Sequence, residues 1–175
     1  MAINPSLRIA KEDDFDFVFQ LNKANFKDFV DEIRGWNDEI EREDLKQSFR
    51  PEKDYIITDN GKSIGYLSVD FNQKFIYVRH IEVLPSYKRR GIGTSIFNQL
   101  KEKGLPIVLE VTKTNTPAYK FYEKLGFEVL EEKNIKKKGV RGEIEIKKVK
   151  MKLSPSYRAG LDNKLAKTDI ISLQT

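Results

Sequence analysis

Apolar residues recur along this chain at helical spacing in some stretches and at β spacing in others. Residues 6–10 alternate between polar and apolar side chains, which is typical of a short strand. Beyond them, Val18, Phe19 and Phe26 share one side of a helix predicted over residues 14–33. The chain is therefore expected to open with a strand followed by a helix.

A second helix and a β-hairpin follow. Asn37 is a suitable N-cap for a helix that ends before residue 51. Two β-rich runs, residues 55–58 and 63–69, flank Asn60-Gly61. Because both of these residues tolerate a positive φ, the pair predicts a two-residue hairpin turn.

The rest of the domain alternates strands with helices. The predicted elements are a strand at 75–84, a helix from Ile92 to before Gly104, a strand at 106–112, a helix capped by Thr116 with Pro117 at its first position, and paired strands at about 127–135 and 142–153. The helix from Ile92 would make the strands at 75–84 and 106–112 parallel. We expect an α/β (α+β) fold with one mixed sheet and helices on both faces.

The length predicts one domain. Residues 1–153 carry the periodic pattern, and residues 154–175 form an extension opened by Ser-Pro-Ser. In the extension, Tyr157, Leu161 and Leu165 have helical spacing. Three roles remain open for the extension: a lid, a dimer contact or a loose tail. If it is a dimer contact, the protein is a homodimer.

Composition restricts the available chemistry. The chain has no cysteine and one histidine, His80. Disulfides, thiolate nucleophiles and zinc sites built on sulfur are thereby excluded, as are metal sites with two histidines. We expect no metal, with a magnesium or calcium site built on carboxylates alone as the alternative left open. Any catalysis must use carboxylates, hydroxyls, amines and main-chain groups.

The net charge of +5 is unevenly distributed. Residues 1–50 carry a net charge of −4, whereas residues 133–152 carry +7. The N-terminus lacks the basic start and apolar block of a secretory signal, and no run of 18 apolar residues occurs. We therefore predict a cytoplasmic protein without a membrane partner.

A glycine turn is predicted between the strand at 75–84 and the helix after it. Gly91 and Gly93 leave several N–H groups uncovered at the helix N-terminus, an arrangement that binds phosphate. The basic residues Lys88, Arg89 and Arg90 precede it. The alternative is a turn that is merely eased by glycine and has solvated basic side chains.

Two other phosphate-binding patterns fit less well. The Gly-Lys-Ser/Thr of a P-loop is absent. The dinucleotide fingerprint has a third Gly or Ala where this chain has Ile96, and it opens a fold rather than standing in its middle.

The run from Lys88 to Gly93 resembles the Gln/Arg-x-x-Gly-x-Gly/Ala signature of the GNAT superfamily (GCN5-related), the acyl-CoA-dependent N-acetyltransferases. Lys88 departs from the first position of that signature. Leu109-Glu110-Val111 with Asn115, and the segment 118–127, resemble the family's later strand and helix. The resemblance covers roughly residues 6–153.

The resemblance implies a mostly antiparallel sheet that is split between its fourth and fifth strands, with acetyl-CoA as co-substrate in the split. In such a site the N–H of Val83 would polarise the thioester carbonyl, Asn115 would hold the cofactor arm, and Tyr122 would protonate the leaving thiolate. A bulky residue at Gly93 should then abolish CoA binding and leave the fold intact. The implied cofactor-binding residues are Ile81, Val83, Lys88, Arg89, Arg90, Gly91, Ile92, Gly93, Thr94, Asn115, Tyr119 and Tyr122.

Glu110 is the first candidate for the general base. It is the one charged residue in the apolar strand 106–112, and burial would raise its pKa. The alternative is an ion pair with a lysine or arginine. Glu82, on the adjoining strand, is the reserve candidate.

The acceptor is expected to be a small-molecule or peptide amine. Residues 28–44 hold eight acidic residues and two arginines, which favours a cationic amine, although a solvated helix face is the alternative. Without cysteine, transfer would proceed by direct attack in a ternary complex. A longer acyl chain or an O-linked acceptor remains open.

A different function is a non-catalytic module that holds CoA, or that binds RNA or an acidic protein through the basic hairpin 133–152. Nucleic acid is disfavoured because that hairpin lacks interleaved aromatic residues.

Overall fold

The computed structural model describes residue 3 and residues 5–155. Its strands are β1 (Ser6–Ile9), β2 (Tyr55–Asp59), β3 (Lys62–Phe71), β4 (Ile76–Val83), β5 (Ile107–Thr112), β6 (Glu128–Gly139) and β7 (Gly142–Leu153). Its helices are α1 (Phe15–Arg34), α2 (Asp38–Ser48), α3 (Ile92–Lys101) and α4 (Thr116–Lys124). The predicted order of elements is confirmed. The part of the extension from residue 156 onwards lies outside the described residues.

The strands form a single sheet in the order β1-β2-β3-β4-β5-β7-β6. Among the described strands all neighbours are antiparallel except β4 and β5. These two pair over three residues and separate after Val78 and Leu109. The expected split between the fourth and fifth strands is therefore present.

A bulge in β4 accompanies the split. Val78 pairs with Val69 and His80 with Ser68, so Arg79 is an extra residue on β4. A bulge of this kind bends its strand and increases the local twist. It lies where the pairing with β5 ends, which directs the last part of β4 away from β5.

Helices cover both faces of the sheet, as predicted. The buried α3 residues Ile96 and Phe97 pack on one face in the main apolar core. On the other face, Val18 and Leu21 of α1 pack in a second core with Leu45 of α2. Each face of the sheet is buried under its own pair of helices, because α4 joins α3 on the first face.

The β2–β3 turn and the start of α4 both have well-defined backbone geometry. The hairpin turn is confirmed, with φ of 48° at Asn60 and 79° at Gly61. The N-cap of α4 is Asn115 rather than the expected Thr116, since the Asn115 side chain accepts a hydrogen bond from the Ala118 N–H at 3.4 Å. Pro117 is consequently the second helical residue.

The β6–β7 hairpin is longer than predicted. Strand β6 is exposed, and its lysine-rich second half lacks the apolar alternation that marks a strand in sequence, so its extension to Gly139 was not predicted. The Arg141 N–H contacts the Arg34 carbonyl at 3.4 Å, and a Cβ on Gly139 would lie 2.6 Å from the Cβ of Arg34. The hairpin tip therefore closes against the end of α1.

The helices in the described part of the chain include none with the length and hydropathy needed to cross a membrane.

Candidate active site

The split leaves main-chain groups of β4 available. The Leu84 N–H, just after the end of β4, donates to the carbonyl of Ile64 in β3 at 2.8 Å. Because main-chain groups alternate in direction along a strand, Ile81 and Val83 turn theirs away from β3 and towards the split. Within the described residues β5 no longer pairs there. Their N–H groups can therefore bind a ligand.

The glycine turn lies beside the split. Gly91 adopts a left-handed conformation with φ of 79°, and Arg89 has φ of 60°. The first hydrogen bond of α3 runs from the Ser95 N–H to the Gly91 carbonyl at 2.9 Å. Among the described residues, the N–H groups of residues 89–94 have no partner. This turn fits a diphosphate, since clustered N–H groups at a helix N-terminus bind anions.

A cleft of about 400 Å³ joins the turn to the end of β4. It is lined by Val83, Tyr87, Lys88, Arg89, Gly91, Ile92, Gly93, Thr94 and Phe121. Ile92 is buried, so it can offer its N–H but not its side chain. The Arg90 guanidinium stacks over the Tyr87 ring at 5.3 Å. Seven of the twelve residues expected to bind the cofactor thus meet in one cleft, whereas five are not in its lining: Ile81, Arg90, Asn115, Tyr119 and Tyr122.

Gly93 has a packing role that the sequence did not indicate. A Cβ at this position would lie 2.9 Å from the Cζ atom of Phe121 on α4. A bulky residue would have to displace that ring. That Gly93 can be replaced without affecting the fold stays a prediction, and this contact argues against it.

Glu82 is a buried carboxylate at the end of β4, with 5% of its surface exposed. It accepts hydrogen bonds from Asn22 Nδ2 at 3.0 Å and from Asn25 Nδ2 at 3.4 Å. Burial raises its pKa to about 7, although these amides and the charge of Lys88 act in the opposite direction. Near neutral pH this group can both accept and release a proton.

Helix α1 positions both amides. Asn22 and Asn25 are three residues apart and so lie on one face of the helix. Asn25 Nδ2 also donates to the Val83 carbonyl at 3.2 Å, which ties α1 to the end of β4. Sequence reasoning missed these two residues. The signal that could have found them is a pair of polar residues at helical spacing beside the apolar stripe of α1.

Tyr122 packs in an aromatic group on α4. Its ring centroid is 5.9 Å from that of Phe97 and 5.5 Å from that of Phe127. Burial raises its pKa to about 12, and the charge of Glu82 acts in the same direction. The hydroxyl therefore keeps its proton at neutral pH and lies within the electrostatic reach of Glu82.

Glu110 is not the buried, unpaired carboxylate that was expected. It accepts a hydrogen bond from Lys133 Nζ at 2.6 Å, and 25% of its side chain is exposed. The β6–β7 hairpin supplies this lysine from a distant part of the chain. Glu110 therefore forms the ion pair with a lysine that was the alternative to its role as a base.

A second cavity, the α1 cavity, lies between α1 and the β6–β7 hairpin and has a volume of about 160 Å³. It is lined by Phe26, Phe29, Val30, Ile33, Arg34, Thr112, Asn115, Lys137, Ile146 and Lys148. None of the acidic residues of segment 28–44 is in this lining. Apart from Glu41, which pairs with Arg34 at 2.7 Å, they are exposed on the outer faces of α1 and α2. The solvated-face alternative therefore holds for this segment.

Comparison with protein families identifies the fold. Residues 15–127 match the acetyltransferase (GNAT) family. The chain is 34% identical over 86 residues to an uncharacterized N-acetyltransferase of Methanocaldococcus jannaschii, covering 42% of this chain and 38% of the relative. It is 38% identical over 68 residues to N-alpha-acetyltransferase 50 of Danio rerio, covering 35% and 40%. The matches thus span less than half the length of these two relatives.

Solved structures agree in fold. The ribosomal-protein-S18-alanine N-acetyltransferase of Escherichia coli superposes with a TM-score of 0.61 at 20% identity, covering 87% of this chain and 95% of that one. Arabidopsis thaliana Naa50, in complex with the bisubstrate analogue CoA-Ac-MVNAL, superposes with a TM-score of 0.54 at 21% identity, covering 85% and 98%. Because the family match covers residues 15–127, well over half of the sequence, this chain belongs to the GNAT family of acetyltransferases.

Proposed function

We propose that the protein transfers an acetyl group from acetyl-CoA to a primary amine by direct attack, with both substrates bound at once. The observation that carries the proposal is Glu82, a buried carboxylate at the split with a pKa of about 7. Acetyl-CoA supplies the activated acetyl thioester when bound. No cysteine is present to carry the acetyl group between substrates.

The cleft beside the glycine turn is the proposed acetyl-CoA site. The free N–H groups of residues 89–94 would hold the diphosphate, with Lys88 and Arg89 adding positive charge. Ile81 and Val83 would pair with the cofactor arm through main-chain groups that face the split. The Val83 N–H would also polarise the thioester carbonyl, as preorganised donors do in acyl transfer.

Glu82 is the proposed general base. It would accept a proton from the attacking amine, directly or through a water molecule, as the C–N bond forms and the C–S bond breaks. Tyr122 is the proposed acid, because its raised pKa preserves a proton for the leaving sulfur. Asn22 and Asn25 keep the carboxylate in place.

The α1 cavity is the proposed acceptor site. The asparagines that hold Glu82 lie one turn before Phe26 and Phe29 on the same helix, so the lining of the cavity begins about one helical turn from the base. A peptide or a small molecule with a primary amine is the proposed acceptor class. The peptide option is supported by the relative named N-alpha-acetyltransferase 50.

A non-catalytic role for the basic hairpin has less support. Lys133 is paired with Glu110 at 2.6 Å, and Lys136 with Glu143 at 2.9 Å. These pairs reduce the charge available to a nucleic acid.

Two matched substitutions test the proposal. Glu82→Gln should lower kcat by about 100-fold or more, since a positioned base contributes on that scale. Acetyl-CoA affinity, measured by calorimetry, should stay within about twofold, because Glu82 lies outside the lining of the cleft. Glu110→Gln, which removes a carboxylate on the neighbouring strand, should leave kcat nearly unchanged. Intact turnover in Glu82→Gln together with lost turnover in Glu110→Gln would return the role of base to Glu110.

A further inference from the structure

The polar wall of the α1 cavity is basic. Arg34, Lys137 and Lys148 line it, and its lining contains no carboxylate. The Arg34 guanidinium is already paired with Glu41 at 2.7 Å. The two lysines have no carboxylate within ion-pair distance among the described residues. Glu41 also interacts with Lys137: burial raises the pKa of Glu41, and the charges of Arg34 and Lys137 act in the opposite direction. Lys148 is therefore the lysine of this wall whose positive charge is least compensated.

Lys148 is the half-buried member of this wall. Burial lowers its pKa, and the charges of Lys137 and Lys133 act in the same direction. Glu110 opposes them, but its carboxylate is bound to Lys133. An ammonium in these surroundings loses solvation without gaining a partner, so an anionic ligand would stabilise it.

The rest of the lining is apolar except for the neutral polar residues Thr112 and Asn115. Phe26, Phe29, Val30 and Ile33 come from α1, and Ile146 comes from β7. The volume of about 160 Å³ is well below the 300 Å³ or more of a site for a drug-sized ligand. The space suits one apolar side chain and a neighbouring polar group.

Its position relative to Glu82 gives this cavity a role in selecting the acceptor. Asn25 contacts Glu82, and Phe29 follows it one turn, about 5.4 Å, further along α1. An amine held at Glu82 would extend its substituents towards Phe29 and then towards Lys148. The hairpin tip closes the far end against Arg34.

We propose that the acceptor is a primary amine bearing an apolar group and a carboxylate, and that Lys148, assisted by the more exposed Lys137, binds that carboxylate. This inference rests on the proposed function and makes it more specific. It reverses the preference for a cationic amine suggested by the acidic segment 28–44, because that segment does not reach the cavity.

The test compares acceptors that differ in one charge. Leucine with leucinamide represents a free amino acid, and Leu-Glu-amide with Leu-Gln-amide represents a peptide N-terminus. In at least one pair, the acceptor with the carboxylate should have a kcat/KM about tenfold higher than its amide counterpart. A factor of about ten corresponds to the free energy of one charge-assisted hydrogen bond. The pair that shows the preference identifies the source of the carboxylate. When acetyl-CoA is absent, the acceptor with the carboxylate should also raise the Tm of the protein more than its amide counterpart does.

Variants assign the preference to a residue. Lys148→Gln should reduce the ratio of the kcat/KM values for the two acceptors of a pair to about two or less. It should leave the affinity for acetyl-CoA unchanged. Lys150→Gln is the matched control, since Lys150 lies two residues along the same face of β7 and outside the cavity. Lys137→Gln should have a smaller effect, because exposed charges contribute less.

Equal rates for both members of both pairs would overturn the inference, as would an equal loss of preference in Lys150→Gln. Failure of the underlying function would look different: no amine would release CoA from acetyl-CoA.

Discussion

The side-chain amide of Asn22 donates a hydrogen bond to the carboxylate of Glu82 at 3.0 Å and so connects α1 to the end of β4. This contact stabilises the ionised form of a carboxylate whose pKa burial raises. The pKa of about 7 thus results from two opposed effects, one supplied by the core and the other by a helix. Substitutions on α1 alone should therefore change the pKa of Glu82.

Replacement of Asn22 by leucine, which has a similar shape, removes one of the two amide donors. The pKa of Glu82 should then rise further, and the midpoint of the ascending kcat/KM–pH profile should move up by about 0.5–1 unit. The plateau at high pH should change little. Gln20→Leu, on the exposed side of the same helix, is the control. An unmoved midpoint would show that Glu82 does not set the profile.

The raised pKa of Glu82 also predicts a pH-dependent stability. The folded protein retains the proton of Glu82 up to about pH 7, whereas the unfolded chain releases it near 4.5. Between these values the folded state binds more protons, so its stability falls as the pH rises, and the loss is complete above about 7. Glutamine carries no such charge.

Glu82→Gln should therefore be more stable than the wild type near pH 8, by about 1–3 kcal/mol in the free energy of unfolding, and of similar stability near pH 4. Urea denaturation at the two pH values measures this difference. The measurement gives the free energy of unfolding of Glu82→Gln minus that of the wild type at each pH. If this difference were smaller at pH 8 than at pH 4, it would contradict the assigned pKa shift.

Tyr122→Phe removes one oxygen and preserves the ring that packs on Phe97 and Phe127. We expect kcat to fall by about tenfold or more, with Tm nearly unchanged. Because burial raises the pKa of Tyr122 to about 12, the wild type should lose no activity through this group up to about pH 10. Tyr119→Phe, on the same helix, should behave like wild type. Equal kcat values for all three proteins would reduce Tyr122 to a packing residue.

Gly93→Ala should destabilise the fold by about 1–3 kcal/mol, because the new methyl group would meet the Phe121 ring. A smaller partner should relieve this clash, so Gly93→Ala with Phe121→Leu should lose less stability than the two single substitutions added together. Thermal unfolding of the four proteins measures the coupling. Strict additivity would exclude the contact as the reason for glycine.

Much of the fold followed from local patterns. Asn60-Gly61 marked a tight turn because both residues accept a positive φ, and the spacing of Ile92, Ile96 and Phe97 marked α3 because one face of that helix is buried. The glycines at 91 and 93 marked the turn beside the split for a related reason, since residues without a Cβ permit unusual backbone and close contacts. Such signals depend on a few neighbouring residues, which is why the chain alone determined them.

The choice between Glu82 and Glu110 was made by the tertiary structure. Each is the single carboxylate of its strand, so the local sequence did not decide between them. The β6–β7 hairpin brings Lys133 to Glu110, 23 residues away, whereas α1 brings Asn22 to Glu82 from 60 residues away. Solvation, pKa and the sign of a cavity's charge depend on which distant groups meet. That is a property of the folded chain, and only its packing decided it.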